Sequence, residues 1–239
     1  MLQLTNLSKK FSTFQAVKNL NLNVSGGEFF GFLGPNGAGK TTTIKMISGI
    51  LSPSEGSILI DGYDILKNPV DAKRIIGYIP DQPYLYDRLT GREFLYFSGG
   101  LYGISSTELK KIIAEVTETL KIGEWLDRRT EEYSQGMKQR ISIASALLHN
   151  PKFLLVDEPM VGLDPQSAKI VKEILVQKAA EGVAIIMSTH SLYIAEEICS
   201  RIGIIKEGEL IFDSDITAFK KFYDKEFSNL ESFFLELVK

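Results

Sequence analysis

Gly34-Pro35-Asn36-Gly37-Ala38-Gly39-Lys40-Thr41-Thr42 fits G-x-x-x-x-G-K-[ST], the pattern of a phosphate-binding P-loop. The apolar run Phe29-Phe30-Gly31-Phe32-Leu33 precedes it and predicts a buried strand, and residues 41–48 predict a helix that stops near Gly49. Strand, glycine-rich loop and helix start form the context in which this motif holds phosphate. Glycines let the backbone curl until successive N–H groups converge on one point, and the helix dipole adds positive potential there. On this pattern Gly34, Asn36, Gly37, Ala38 and Gly39 form the cradle. Lys40 reaches the β- and γ-phosphates, the Thr41 hydroxyl ligates Mg²⁺ and Thr42 contacts the α-phosphate. A chance glycine-rich turn would account for neither the strand before the loop nor the helix after it.

Upstream, residues 2–7 alternate, with Leu2, Leu4 and Leu7 apolar, which predicts an edge strand. Ala16-Val17-Lys18-Asn19-Leu20-Asn21-Leu22-Asn23-Val24 alternates again, and Ser25-Gly26-Gly27 turns the chain into the P-loop strand. A small antiparallel sheet is expected. Phe11 or Phe14 could stack on a nucleotide base, or both could be core or hairpin residues.

Downstream, Ser57-Ile58-Leu59-Ile60-Asp61-Gly62 and Ile75-Ile76-Gly77-Tyr78-Ile79-Pro80 predict two more strands, the second carrying Asp81-Gln82-Pro83 at its edge. Over residues 84–150 strand signals give way to helical spacing at Leu109, Ile112, Ile113, Val116 and Leu120, with helix starts at Thr90 and Ser106. This is the signature of a helical subdomain inserted into an α/β core. Tyr84, Tyr86, Phe94, Tyr96 and Phe97 crowd its entrance, either as core or as a docking surface.

Lys152-Phe153-Leu154-Leu155-Val156-Asp157-Glu158-Pro159 reads as a buried strand delivering two carboxylates at its C-terminal edge, where open parallel sheets bind ligands. Asp157 can hold Mg²⁺, and Glu158 beside it can polarise an attacking water. Either acid alone could instead cap the next helix, which Pro165 starts and Gly182 ends. Val183-Ala184-Ile185-Ile186-Met187-Ser188-Thr189 is a further buried strand, ending at His190. A lone histidine is more often structural, but this one falls at the same sheet edge as the two acids. Lys206-Glu207-Gly208 predicts a hairpin, and beyond Asp213 an apolar stripe (Ile216, Phe219, Phe222, Tyr223, Phe227, Leu230, Phe233, Phe234, Leu237) predicts a helical tail.

Of 239 residues, 44% are hydrophobic, enough for a buried core. Lys and Arg number 27 against 30 Asp and Glu, a net charge of −3, so there is no basic excess to favour nucleic acid as the main partner. The single cysteine, Cys199, excludes an internal disulfide and suits a reducing compartment. The N-terminus lacks the regions of a signal peptide, and no run approaches about 18 uncharged apolar residues, so the chain is expected to be soluble and to span no bilayer itself.

One stretch remains: Tyr133-Ser134-Gln135-Gly136-Met137-Lys138-Gln139-Arg140, ahead of an apolar helix. Its place between the P-loop and the acidic strand resembles the signature loop of the ABC ATPases, and the order and spacing of all the motifs fit that family over nearly the whole chain. The resemblance implies an α/β fold: a P-loop NTPase (RecA-like) core with an N-terminal antiparallel β-subdomain and an inserted α-helical subdomain. Residues 1–82 and 151–212 would form the core and β-subdomain, 83–150 the helical subdomain and 213–239 the tail. Phe11 then stands where an aromatic stacks on adenine, and Gln82 is the glutamine that senses Mg²⁺ and the γ-phosphate near the membrane partner. Ser134 and Gly136 cover the nucleotide of an opposite subunit. Asp157 is the metal-binding acid, Glu158 the general base, Asp164 part of the loop after it, and His190 the histidine that contacts the γ-phosphate. The usual signature is Leu-Ser-Gly-Gly-Gln; this chain departs at Tyr133, Gln135 and Met137 and keeps Ser134 and Gly136.

The family reading makes the chain a Mg²⁺-dependent ATPase. Two ATP molecules are sandwiched between two such subunits, copies or paralogues, at the cytoplasmic face of a membrane. Opening and closing drives a separate transmembrane permease. The signature and the phenylalanine-rich tail resemble those of the multidrug and antibiotic exporters with separate membrane subunits; import is the second possibility. A nucleic-acid or ribosome-associated ATPase is the rival from another class. Only about 90 residues separate P-loop and signature, with no sustained heptad, whereas chromosome and repair types insert long coiled coils there. An ordinary P-loop kinase or GTPase would have no use for the signature loop or His190.

Overall fold

The computed structural model describes residues 1–226. The chain runs through β1 (Leu2–Phe11), β2 (Phe14–Val24), β3 (Phe29–Leu33), α1 (Lys40–Ile47), β4 (Glu55–Ile60), β5 (Tyr63–Asp64), α2 (Pro69–Arg74) and β6 (Ile76–Ile79). The helical stretch is α3 (Gly91–Leu101), α4 (Ser106–Thr119) and α5 (Gln135–Leu147). Then come β7 (Phe153–Asp157), α6 (Pro165–Ala180), β8 (Ala184–Thr189), α7 (Leu192–Ile198), β9 (Arg201–Lys206), β10 (Glu209–Asp215) and α8 (Ile216–Glu226).

Two sheets form among the described residues. The larger has strand order β10-β9-β3-β8-β7-β6 and is parallel except for β10, which pairs antiparallel to β9. Both of its faces are buried, which is why its central strands read as unbroken apolar runs. Along β3, Phe29 and Leu33 point into one core and Phe30 and Phe32 into the other; along β7, Leu154 and Val156 oppose Phe153 and Leu155 in the same way. Each fully buried phenylalanine contributes about 1.5–3 kcal/mol. The first core is continuous with the packed faces of α3 to α6 and with Phe219 of α8. The inserted helices therefore share one core with the sheet. The second core joins the sheet to α1 and to the smaller antiparallel sheet, β2-β1-β4-β5.

Residues 2–7 are not an edge strand. β1 pairs with β2 on one side and β4 on the other. Alternation of Leu2 and Leu4 reports that one face is buried, and an irregularity at Asn6, with φ 50°, returns Leu7 to the same core, but the pattern does not count neighbours. The short helices α2 and α7 carry no sequence prediction, because six or seven residues hold too few turns to show a period. Elsewhere local chemistry sets the boundaries. The Thr90 hydroxyl accepts the Glu93 N–H at 3.1 Å while the Glu93 carboxylate accepts the Thr90 N–H at 2.8 Å, a capping box that starts α3. α4 is capped by Ser105, one residue ahead of the predicted start. Pro165 opens α6, and Gly182, at φ 96°, follows its end. The tail continues as α8; Phe227, Leu230, Phe233, Phe234 and Leu237 of the predicted stripe lie outside the described residues. No helix among the described residues is long and apolar enough to cross a membrane.

Candidate functional site

The P-loop leaves β3 at Leu33 and enters α1 at Lys40. Two glycines are required by packing. A Cβ on Gly34 would run into the Ile205 carbonyl of β9. Gly39, with φ 110°, would set a Cβ at 2.5 Å from the Ala16 carbonyl. The turn between β9 and β10 supports the loop from outside: Gly208 donates its N–H to the Ala38 carbonyl at 2.9 Å and accepts from Lys18 at 2.8 Å. Helix α1 has no side-chain cap and no acid in its first turn, so its N-terminal N–H groups and dipole remain available to an anion.

Lys40 is buried, and its ammonium donates to the carbonyls of Gly34 at 2.7 Å and Pro35 at 3.1 Å. Burial pushes its pKa down, against the upward pull of Glu158 and Asp157. Asp157 ends β7 fully buried. Its Oδ1 accepts from the Ser188 hydroxyl at 2.5 Å and the Thr41 hydroxyl at 3.2 Å, while Oδ2 is buried without a hydrogen-bond partner among the described residues. Desolvation raises its pKa, partly offset by the two hydroxyls. A buried carboxylate oxygen with no partner, next to a threonine hydroxyl, suits a cation. No cluster of three His, Cys, Asp or Glu exists among the described residues to hold one alone, so phosphate and water oxygens would complete the shell, as is usual for Mg²⁺.

Glu158 follows at φ 46°, a left-handed backbone that costs about 1–2 kcal/mol in a non-glycine residue. The Ser188 carbonyl and hydroxyl hold it there by accepting its N–H at 3.2 and 3.1 Å. The bend turns its carboxylate toward Lys40, 3.9 Å away, and His190, whose Nδ1 lies 3.0 Å from it. Neither acid caps a helix; Asp164 caps α6. Glu158 and His190 line a cleft of about 620 Å³ together with Asn36, Gln82, Gln135 and Lys138. Three distant segments thus meet at the C-terminal ends of β3, β7 and β8. Sequence reasoning missed Ser188, which holds both acids. Its signal was a hydroxyl at the end of the otherwise apolar β8.

A second groove, about 440 Å³, runs beside Gly37 and is walled by Thr13, Phe14, Gln15, Asn36 and Lys206. Phe11 and Phe14 pair across the first hairpin and are 44% and 60% exposed, so neither is a core residue. Phe14, not Phe11, lines the groove.

Ser134 and Gly136 do not line the cleft or groove beside this P-loop, although Gln135 between them lines the cleft with Asn36 and Glu158. Ser134 caps α5 by accepting the Met137 N–H at 3.3 Å. Gly136 packs where a Cβ would meet the Ser167 hydroxyl at 3.1 Å and Asp164 at 3.4 Å. Asp164 caps α6, its carboxylate accepting the Ser167 hydroxyl at 2.6 Å and N–H at 3.0 Å, which lowers its pKa. None of the three lines either groove. Of the entrance aromatics, Phe94 and Tyr96 pack against the core, while Tyr84, Tyr86 and Phe97 are exposed. Tyr84 borders a third groove, about 370 Å³, with Ile50, Tyr78, Leu85 and Tyr102.

Residues 17–161 match the model of the family described as ABC transporter. The chain is 44% identical over 211 residues to the linearmycin resistance ATP-binding protein LnrL of Bacillus subtilis, covering 88% of this chain and 68% of that protein. It is 39% identical over 222 residues to the bacitracin transport ATP-binding protein BcrA of Bacillus licheniformis, covering 92% and 72%. Among solved structures, it is similar over the whole of both chains to an ATP-binding subunit of an ABC transporter, with 31% identity and a TM-score of 0.91. It is also similar to an ATP-binding cassette captured as a dimer in a post-hydrolysis state with ADP and Pi, over 90% of this chain and 99% of that one, with 28% identity and a TM-score of 0.83.

Proposed function

As the chain belongs to the ABC transporter family as its ATP-binding, ATP-hydrolysing subunit, we propose that it hydrolyses Mg·ATP between two such chains to drive export through a separate permease. The observation that carries the chemistry is the row Lys40, Glu158, His190, with Glu158 3.9 Å from the lysine and 3.0 Å from the histidine.

The residues divide the work as follows. Lys40 exchanges its carbonyl partners for the β- and γ-phosphates, and the loop from Gly34 through Asn36, Gly37, Ala38 and Gly39, with Thr42, cradles the chain of phosphates on the α1 N-terminus. Thr41, Asp157 and Gln82 would hold Mg²⁺, with phosphate and water oxygens completing its shell. The ion, when bound, neutralises charge on the phosphate oxygens. Glu158 takes the proton from the water whose oxygen attacks the γ-phosphorus as the bond to ADP breaks. His190 fixes the Glu158 carboxylate and reaches the γ-phosphate. An aromatic of the first hairpin, Phe11 or Phe14, stacks on the adenine. Ser134 and Gly136 cover the ATP of the partner subunit, supported by Asp164. That neither lines the cleft of its own chain favours such a split site, as does the dimeric relative.

The exposed groove at Tyr84 and Tyr102 serves as the docking surface for the permease, and membership of the family supports a seat at the cytoplasmic face of the membrane. Relatives named for linearmycin resistance and bacitracin transport favour export. Glu158→Gln tests the scheme: turnover should fall by about 10²- to 10⁴-fold while ATP still binds and dimers accumulate. Wild-type turnover in that variant removes Glu158 as the base.

A further inference from the structure

Tyr133 stands where the family signature has leucine, and its hydroxyl has a defined task. The ring is buried and packs edge-on against Trp125, centroids 4.9 Å apart. The hydroxyl accepts the N–H of Gly91, the first residue of α3, at 3.2 Å and donates to the carbonyls of Trp125 at 3.0 Å and Leu126 at 3.3 Å. Gly91 has no side chain for good reason: a Cβ there would collide with that hydroxyl oxygen. One atom therefore joins three segments. They are the α3 start, which follows the stretch bearing Gln82; the 125–126 turn; and the residue immediately before Ser134. Leucine would fill space there but bond none of them.

The geometry points to Tyr133 as a positioning residue that locks the signature-loop cap, Ser134, to the α3 start, so that the segment after Gln82 and the signature helix α5 move as one body. A second contact serves the same body: the Arg140 guanidinium of α5 lies 5.1 Å over the Trp125 ring and donates to the Leu120 and Lys121 carbonyls at 3.4 and 3.3 Å. Releasing the hydroxyl leaves the nucleotide-binding half intact but lets Ser134 wander by fractions of an ångström. At a site assembled from two chains, that misplacement reduces turnover more than affinity.

This inference rests on the split-site reading above, and the experiment separates the two. Full-length chains carrying two different tags are co-purified as hybrids in which one chain has Lys40→Ala, leaving one working P-loop served by the other chain's signature. Tyr133→Phe, which keeps the ring and its stacking, is placed on one chain or the other. On the Lys40→Ala chain it should lower kcat about five- to tenfold, with KM for ATP within about twofold; on the Lys40 chain it should do little. An equal loss in both placements, tracking a lower unfolding midpoint, overturns the positioning role in favour of plain stability. No loss in either placement overturns it outright. A loss confined to the Lys40 chain overturns the split site on which it stands.

Discussion

Replacing Asp157 by asparagine should make the nucleotide-free protein more stable while removing its response to Mg²⁺. The carboxylate is fully buried, with two hydroxyls on Oδ1 and no partner for Oδ2 among the described residues. An unsatisfied buried polar atom costs about 1–3 kcal/mol, more when charged. An amide of the same shape keeps the Oδ1 bonds; its nitrogen still lacks a partner, but the buried charge is gone, so about 1 kcal/mol should be regained. For a chain of this size that is about 2–4 °C in Tm. The pH dependence has a fixed sign. Burial raises the folded pKa of Asp157 above its ordinary 3.8, so between those values the folded state binds more protons than the unfolded one. Stability from this group is therefore lost as pH rises through that window, and the advantage of the variant should grow as pH rises above 3.8. Thermal unfolding by circular dichroism, with and without Mg·ATP at 100 times its Kd, reads both effects. The wild type should gain about 2.7 kcal/mol, or about 5–10 °C, and the variant should lose the part that needs Mg²⁺. An asparagine variant less stable than wild type without nucleotide, at neutral pH, would refute the reasoning, because Oδ2 would then have a compensating partner.

Gly39→Ala must place a side chain at φ 110° against the Ala16 carbonyl, so it should destabilise by about 2 kcal/mol or more and weaken ATP binding over tenfold by titration calorimetry. Gly37→Ala, at φ 80° with open space above it, is the matched control and should cost about 1–2 kcal/mol from backbone alone. Thr90→Ala breaks the capping box of α3, and urea unfolding should show about 1 kcal/mol lost with ATP affinity unchanged.

The P-loop was legible because strand, glycine turn and helix start follow one another within one short stretch, and local chemistry alone dictates that order. The acidic pair was legible because a four-residue apolar run ending in Asp157 and Glu158 has few other uses in a sheet buried on both faces. Ser188 was not, since nothing in its own strand says that it faces Asp157. Nor could pattern choose between Phe11 and Phe14: the hairpin carries both, and only its approach to Gly37 puts Phe14 on the groove wall.

The sequence by itself determined which segments are strand or helix, where the caps fall and which residue types collect at strand ends, because periodicity and capping act over a few residues. Only the tertiary structure decided that β1 is internal, that Ser188 holds both acids, that Glu158 stands between Lys40 and His190, and that the Tyr133 hydroxyl reaches Gly91. Those contacts join residues dozens to more than a hundred positions apart. They arise from how two cores close on either side of one sheet, a long-range packing that no local pattern encodes.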